Sequence, residues 1–200
     1  AAKKDMGVFI ISPNDKGGRL YNPPQKMVDL CDPLEPMAFN DLFCWANPNV
    51  HTISCGAARP SDFDTHVKAL EHYDEAESVI ASTLEKIYAE VARFGGPDWH
   101  DTWHTGLPEW DTVPGEINVK DVVRLWTWAK ALDLEDFAKW RYNMLGTADH
   151  WFPGNIVKDY DEKKMHEALR NSPHAEKISN ILKESRILFE DTTIPRLSRS

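Results

Sequence analysis

Two short segments combine a flexible backbone with hydrogen-bond donors and positive charge. The first, Ser12-Pro13-Asn14-Asp15-Lys16-Gly17-Gly18, follows an apolar run. Gly17 and Gly18 allow backbone amides to approach an anion closely, Ser12 offers a hydroxyl and Lys16 a charge, which together suit a phosphate. The same residues also build an ordinary turn, so composition alone leaves both readings open. The second segment, Ser54-Cys55-Gly56-Ala57-Ala58-Arg59-Pro60-Ser61-Asp62, leads from a strand end through small residues to a helix start. Unpaired first-turn N–H groups and the positive end of the helix dipole favour an anion there, and Arg59 adds a guanidinium. A tight, capped strand-to-helix loop has the same composition. Two such loops on neighbouring parallel strands open toward one side, and that coincidence brings a ligand into consideration.

Other chemistry-bearing residues read more plainly. His100 and His104, four apart beside Asp98 and Asp101, would share a face of a helix as zinc sites require. Only two imidazoles are supplied, Pro97 opposes a helix, and Trp99 and Trp103 interleave, so a packed or exposed loop is expected. Trp126, Trp128, Phe137, Trp140 and Tyr142 have the spacing of core packing rather than of a platform for bases or sugars. Cys31, Cys44 and Cys55 form neither a disulfide framework nor a Cys-x-x-Cys motif, and they read as small buried hydrophobes in a reducing, cytoplasmic protein.

The elements that must position these loops follow from periodicity and punctuation. Residues 7–11 form a short β-branched strand, a helix can open at Pro24 and run through Cys31, and another lies between Pro36 and Trp45 before Asn47-Pro48-Asn49. Residues 50–55 alternate as a strand, and Ser61 caps a helix whose inner face should carry Phe63, Val67 and Leu70. This strand, helix, strand, helix order implies parallel strands. Parallel sheets are buried on both faces, so the segment should belong to a larger barrel or open sheet whose other strands precede residue 1, as in a chain cut from a longer one. Beyond about residue 75 the pattern is helical, with a stripe of Val79, Leu84, Ile87, Val91 and Phe94, an ordered linker over 98–115, and helices near 119–132, 134–145, 164–169 and 175–189.

With 42% hydrophobic residues, 28% charged residues and a net charge of -9, the 200-residue chain reads as globular, with no apolar run of membrane-spanning length. The acidic balance argues against a nucleic-acid partner, so any phosphate must be held locally.

At the two loops the chain resembles the aldo/keto reductases. Gly7-Val8-Phe9-Ile10-Ile11-Ser12-Pro13 followed by Gly17-Gly18-Arg19-Leu20 is similar to that family's seventh barrel strand and pyrophosphate loop. Residues 48–57, followed by Pro60 and a helix, are similar to its eighth strand and the segment that meets the adenosine end of the cofactor. The resemblance is closest to a bacterial branch of predicted oxidoreductases with an appended helical domain, often bearing cysteines for iron-sulphur clusters. It covers residues 7–70 and, more weakly, 117–145. It implies an α/β then all-α chain, the C-terminal part of a TIM (β/α)8 barrel over 1–75 followed by a helical domain over 76–200.

The function implied is NADP- or NAD-dependent reduction of aldehydes or ketones, with a small carbonyl compound as partner. Ser12, Asn14, Lys16 and Gly18 would hold the pyrophosphate, while Gly56, Ala57, Arg59 and His66 would meet the adenosine end. The family's catalytic Tyr, Lys, Asp and His lie on earlier strands, so no catalytic residue is assigned and this chain alone is expected to be inactive. Ala58 stands where relatives often carry a basic residue and His66 where they carry Asn, which leaves NADP against NAD open. No cysteine follows Cys55, which excludes an all-cysteine cluster in the helical part. The competing reading is a non-catalytic helical interaction module on a barrel remnant.

Overall fold

The computed structural model describes residues 1–13, 19–57, 59–147, 152–158 and 160–190. Strands β1 (Val8–Ile11) and β2 (Val50–Ser54) pair in parallel, with Val8 opposite Val50 and Ile11 opposite Ser54. Helices α1 (Gln25–Cys31) and α2 (Pro36–Trp45) lie between them in sequence, and α3 (Asp62–Leu70) follows β2. Pro36 opens α2 at a position where its missing N–H would have had no partner anyway. The strands, the helices and the parallel pairing agree with the sequence reading.

The barrel expectation does not hold. Among the described residues the sheet consists of β1 and β2 alone and the chain is mainly helical, so no portion of a TIM (β/α)8 barrel is present. A closed barrel gives every strand a neighbour on both edges, whereas β1 and β2 each have one. The extension to eight strands rested on the family resemblance and on the rule that parallel sheets are covered on both faces. Here Phe9 and Ile11 of β1 are 60% and 62% exposed, so one face of the sheet escapes that rule.

A second expectation is reversed at α3. Phe63, Val67 and Leu70 are exposed, and the buried residues are Asp62, Thr65, His66 and Ala69. The polar side chains turn inward because they find partners there. Thr65 donates to Glu35 Oε2 at 2.9 Å, and His66 meets Asp41. Hydrogen bonding of this kind removes most of the penalty for burying polar groups.

The chain divides into two compact units, Ala1–Ala89 and Glu90–Ser200, with the division inside α4 (Ala76–Gly95). In the first unit α2 packs on α3, α1 and β2 around Met27, Met37, Phe39, Leu42 and Val50. The second unit contains α5 (Trp99–Thr102), α6 (Val119–Leu132), α7 (Glu135–Tyr142), α8 (Glu162–Ala168) and α9 (Ala175–Phe189). Of the five aromatics whose spacing suggests core, Trp126, Trp140 and Tyr142 are buried, while Trp128 and Phe137 are half-buried. Trp99 and Tyr142 are fully buried. Three of these residues use their polar atoms: Trp99 Nε1 donates to Thr127 Oγ1 at 3.0 Å, Trp126 Nε1 to Glu184 Oε2 at 2.9 Å, and Tyr142 Oη accepts from the Val157 amide at 2.9 Å.

The end of α4 illustrates the tightness of this core. Lys177 Nζ donates to the Phe94 carbonyl at 2.9 Å and the Gly95 carbonyl at 2.5 Å, and it sits 4.8 Å from the Trp99 ring centroid. A cation there completes orphan carbonyls at the negative end of the helix dipole. A Cβ on Gly95 would lie 2.0 Å from Trp99 Cγ, so no side chain fits without moving the indole. Gly95→Ala should therefore cost about 1–3 kcal/mol of stability by overpacking, measured as a lowered urea midpoint, although alanine is the better helix former. Trp99→Leu combined with Gly95→Ala should lose less than the sum of the two single changes.

Candidate functional site

Three side chains from three elements converge inside the first unit. Asp41 lies on the inner face of α2, Cys55 follows the last residue of β2, and His66 sits in the second turn of α3. One ligand-capable atom from each lies within 4.8 Å of the others. His66 Nδ1 is 2.5 Å from Asp41 Oδ2, the Cys55 thiol donates to Asp41 Oδ1 at 3.6 Å, and His66 Nε2 is 3.2 Å from the Gly56 carbonyl. Asp41 is wholly buried and His66 nearly so, while Cys55 is half-buried.

The hydrogen-bond pattern dictates where protons sit. The Gly56 carbonyl can only accept, so Nε2 carries a hydrogen and donates to it. The short contact between Nδ1 and Asp41 then holds one further proton between the ring and the carboxylate. The pair is thereby neutral overall, which is how a buried carboxylate escapes the cost of an uncompensated charge. Its effect is mechanical as well, since it ties α2, α3 and the strand-to-helix loop together at Gly56.

The thiol beside this pair is not a ready nucleophile. Burial, then the Asp41 charge and its hydrogen bond, push the Cys55 pKa up to about 12. Burial raises Cys31 to about 11 and also raises Cys44, with Asp41 adding to the effect at Cys44. Cys31 is the buried hydrophobe the sequence suggests, whereas Cys44 and Cys55 are only partly covered. No base is evident beside Cys55 in the sequence, because Asp41 and His66 reach it from two separate helices.

Ser12 has a left-handed backbone with φ of 56°, an uncommon state for a non-glycine residue, and turns the chain sharply away from β1. Asn40 Nδ2 of α2 donates to the Pro13 carbonyl at 2.8 Å and anchors the start of that loop. Asn14, Lys16 and Gly18 lie outside the described residues, as does Ala58. Gly56 and Ala57 are half-buried where β2 ends. Arg59 is held by Asp62, whose carboxylate accepts from the Arg59 amide at 2.7 Å and from its guanidinium at 2.9 and 3.2 Å. The Arg59 side chain remains 66% exposed, so Asp62 orients it without enclosing it.

Arg59 borders a groove of about 570 Å³, with Leu20, Tyr21, Pro36, Thr65 and Lys68 among its walls. Its volume falls within the usual range for small-molecule sites, and its lining is acidic on balance, with Asp32, Glu35, Asp62 and Asp64 against Arg59 and Lys68. His100 and His104 are both exposed, and neither belongs to a cluster of metal-ligating groups among the described residues.

No family model matches this sequence, and no curated protein or solved structure matches it either. The aldo/keto reductase resemblance therefore rests on the quoted loop residues alone.

Two measurements check this geometry. His66→Ala leaves the Asp41 carboxylate without its imidazole and should cost about 3–5 kcal/mol in denaturant unfolding, against little change for the exposed neighbour Val67→Ala. In the native protein near neutral pH the three thiols should react with a disulfide reagent more slowly than free cysteine. The Cys55 rate should climb only as pH rises toward its raised pKa, and unfolding should abolish the protection.

Proposed function

We propose that this chain binds the pyrophosphate and adenosine end of a nicotinamide dinucleotide, NADP or NAD, in an oxidoreductase of aldo/keto reductase type that reduces aldehydes or ketones. The observation that carries this reading is the parallel register of Ile11 opposite Ser54. It sends the segments beginning at Ser12 and Cys55 out from the same end of the sheet, where α/β proteins hold their ligands. The groove beside Arg59 has room for a flat ring against Leu20 and Tyr21, and its acidic lining leaves the phosphates to the exposed side of the Arg59 guanidinium.

In this reading Ser12, with Asn14, Lys16 and Gly18 beyond the described residues, takes the pyrophosphate. Gly56, Ala57 and Arg59 meet the adenosine end, and His66 serves there through its bond to the Gly56 carbonyl. The bound nicotinamide supplies the hydride, and no residue of this chain is assigned a catalytic role. A small carbonyl compound is the substrate, and the net charge of -9 disfavours nucleic acid. No described helix is long and apolar enough to cross a membrane. A cytoplasmic setting suits three cysteines that form no disulfide.

The test is a fluorescence titration of the tryptophan-rich chain with NADPH and with ADP-ribose, which lacks the nicotinamide. Both should saturate, and Lys16→Ala and Arg59→Ala should each weaken binding by about tenfold, or roughly 1.4 kcal/mol. No saturation with either ligand, or dissociation constants unchanged in both variants, would overturn the assignment.

A further inference from the structure

We propose that Asp41, Cys55 and His66 form a binding site for one divalent transition-metal ion, with zinc the best match. The inference does not depend on the dinucleotide reading, and the two are tested by separate ligands.

Three observations lead to it. The first is convergence. A carboxylate from α2, a thiol from the end of β2 and an imidazole from α3 bring an oxygen, a sulfur and a nitrogen within 4.8 Å of one another. The second is the identity of the donors. A mixed oxygen, sulfur and nitrogen set suits the borderline-soft zinc ion, whereas calcium and magnesium prefer oxygen alone. A thiolate and a carboxylate together also balance a divalent charge.

The third observation is the orientation of the imidazole. Metal-bound histidines almost always donate their other ring N–H to a carbonyl or carboxylate, which sets the tautomer and aims the free nitrogen. His66 has this arrangement: Nε2 is committed to the Gly56 carbonyl at 3.2 Å, and Nδ1 faces the Asp41 carboxylate, against which the Cys55 thiol also lies. A buried imidazole needs that second bond in either role, and here the bond leaves Nδ1 as the nitrogen that faces the other two donors.

The distances are compatible with a small adjustment. Metal bonds of about 2.0–2.3 Å in a tetrahedron separate neighbouring donors by roughly 3.3–3.6 Å. Cys55 Sγ and Asp41 Oδ1 already stand 3.6 Å apart. His66 Nδ1 and Asp41 Oδ2, at 2.5 Å, are closer because a proton lies between them. Replacing that proton by an ion requires the imidazole and carboxylate to part by roughly 1 Å and the Asp41 carboxylate to turn so that one oxygen meets the ion. Binding displaces one proton from the thiol and one from the Asp41–His66 pair, leaving a thiolate, a carboxylate and a neutral imidazole on the metal. Three protein ligands leave the fourth position to water or an added ligand, with access on the half-buried Cys55 side.

The experiment uses the full chain, freed of metal by a chelator and titrated with cobalt(II) as a spectroscopic stand-in for zinc. A thiolate-to-cobalt charge-transfer absorption should saturate at one equivalent and vanish when zinc is added. Two sets of variants locate it. Cys55→Ser should abolish the band. The double variant Cys31→Ala with Cys44→Ser leaves Cys55 as the chain's one thiol and should retain it, so the assignment does not hinge on the folding of one variant. Zinc should raise the melting temperature of the wild type and leave that of Cys55→Ser unmoved. Absence of the band in the wild type under excess cobalt would overturn the site. So would its survival in Cys55→Ser, or its loss in the double variant.

Discussion

A carboxylate with no exposure to water must have its charge answered inside the protein, and in the first unit that carboxylate is Asp41. Its position on the inner face of α2 forces a hydrogen-bonding partner to be delivered from elsewhere, and α3 delivers one by turning its polar side inward. The outward aspect of Phe63, Val67 and Leu70 follows from that choice, since a helix cannot bury two opposed faces against one layer. The bond from His66 to the Gly56 carbonyl then carries the constraint into the loop after β2. One buried charge thus sets the rotation of a helix, the path of a loop and the surroundings of a thiol.

In the second unit several polar groups are answered by partners within the unit. Asn118 caps α6 by accepting from the Asp121 amide at 3.0 Å and donates to the Pro153 carbonyl at 2.8 Å, which pins a later segment to the same helix start. Glu184 of α9 accepts from both Trp126 and Lys130 of α6, so one carboxylate serves a buried indole and a surface ammonium. These contacts lie at the margins of an aliphatic and aromatic core and add specificity to packing that burial already favours.

The local elements were legible because their signals are local. β-branched runs, prolines at helix starts and apolar periodicity sufficed to place β1, β2 and the helices, and the crossover rule gave the parallel pairing. The barrel was an extrapolation from two strands to eight, and the described residues hold only the two. The inner face of α3 is not legible in the sequence, because hydrophobic periodicity assigns apolar residues inward while the deciding partner, Asp41, is 25 residues away from His66. The loops at Ser12 and Arg59 were visible from glycines, charge and position. The meeting of Asp41, Cys55 and His66 was not, because no two of them fall at a spacing that any single helix or strand would bring together.

The clash at the end of α4 makes two positions interdependent. With a Cβ at position 95 placed 2.0 Å from Trp99 Cγ, no side chain is added there without displacing the indole, so the effect of a substitution at either position depends on the residue that occupies the other.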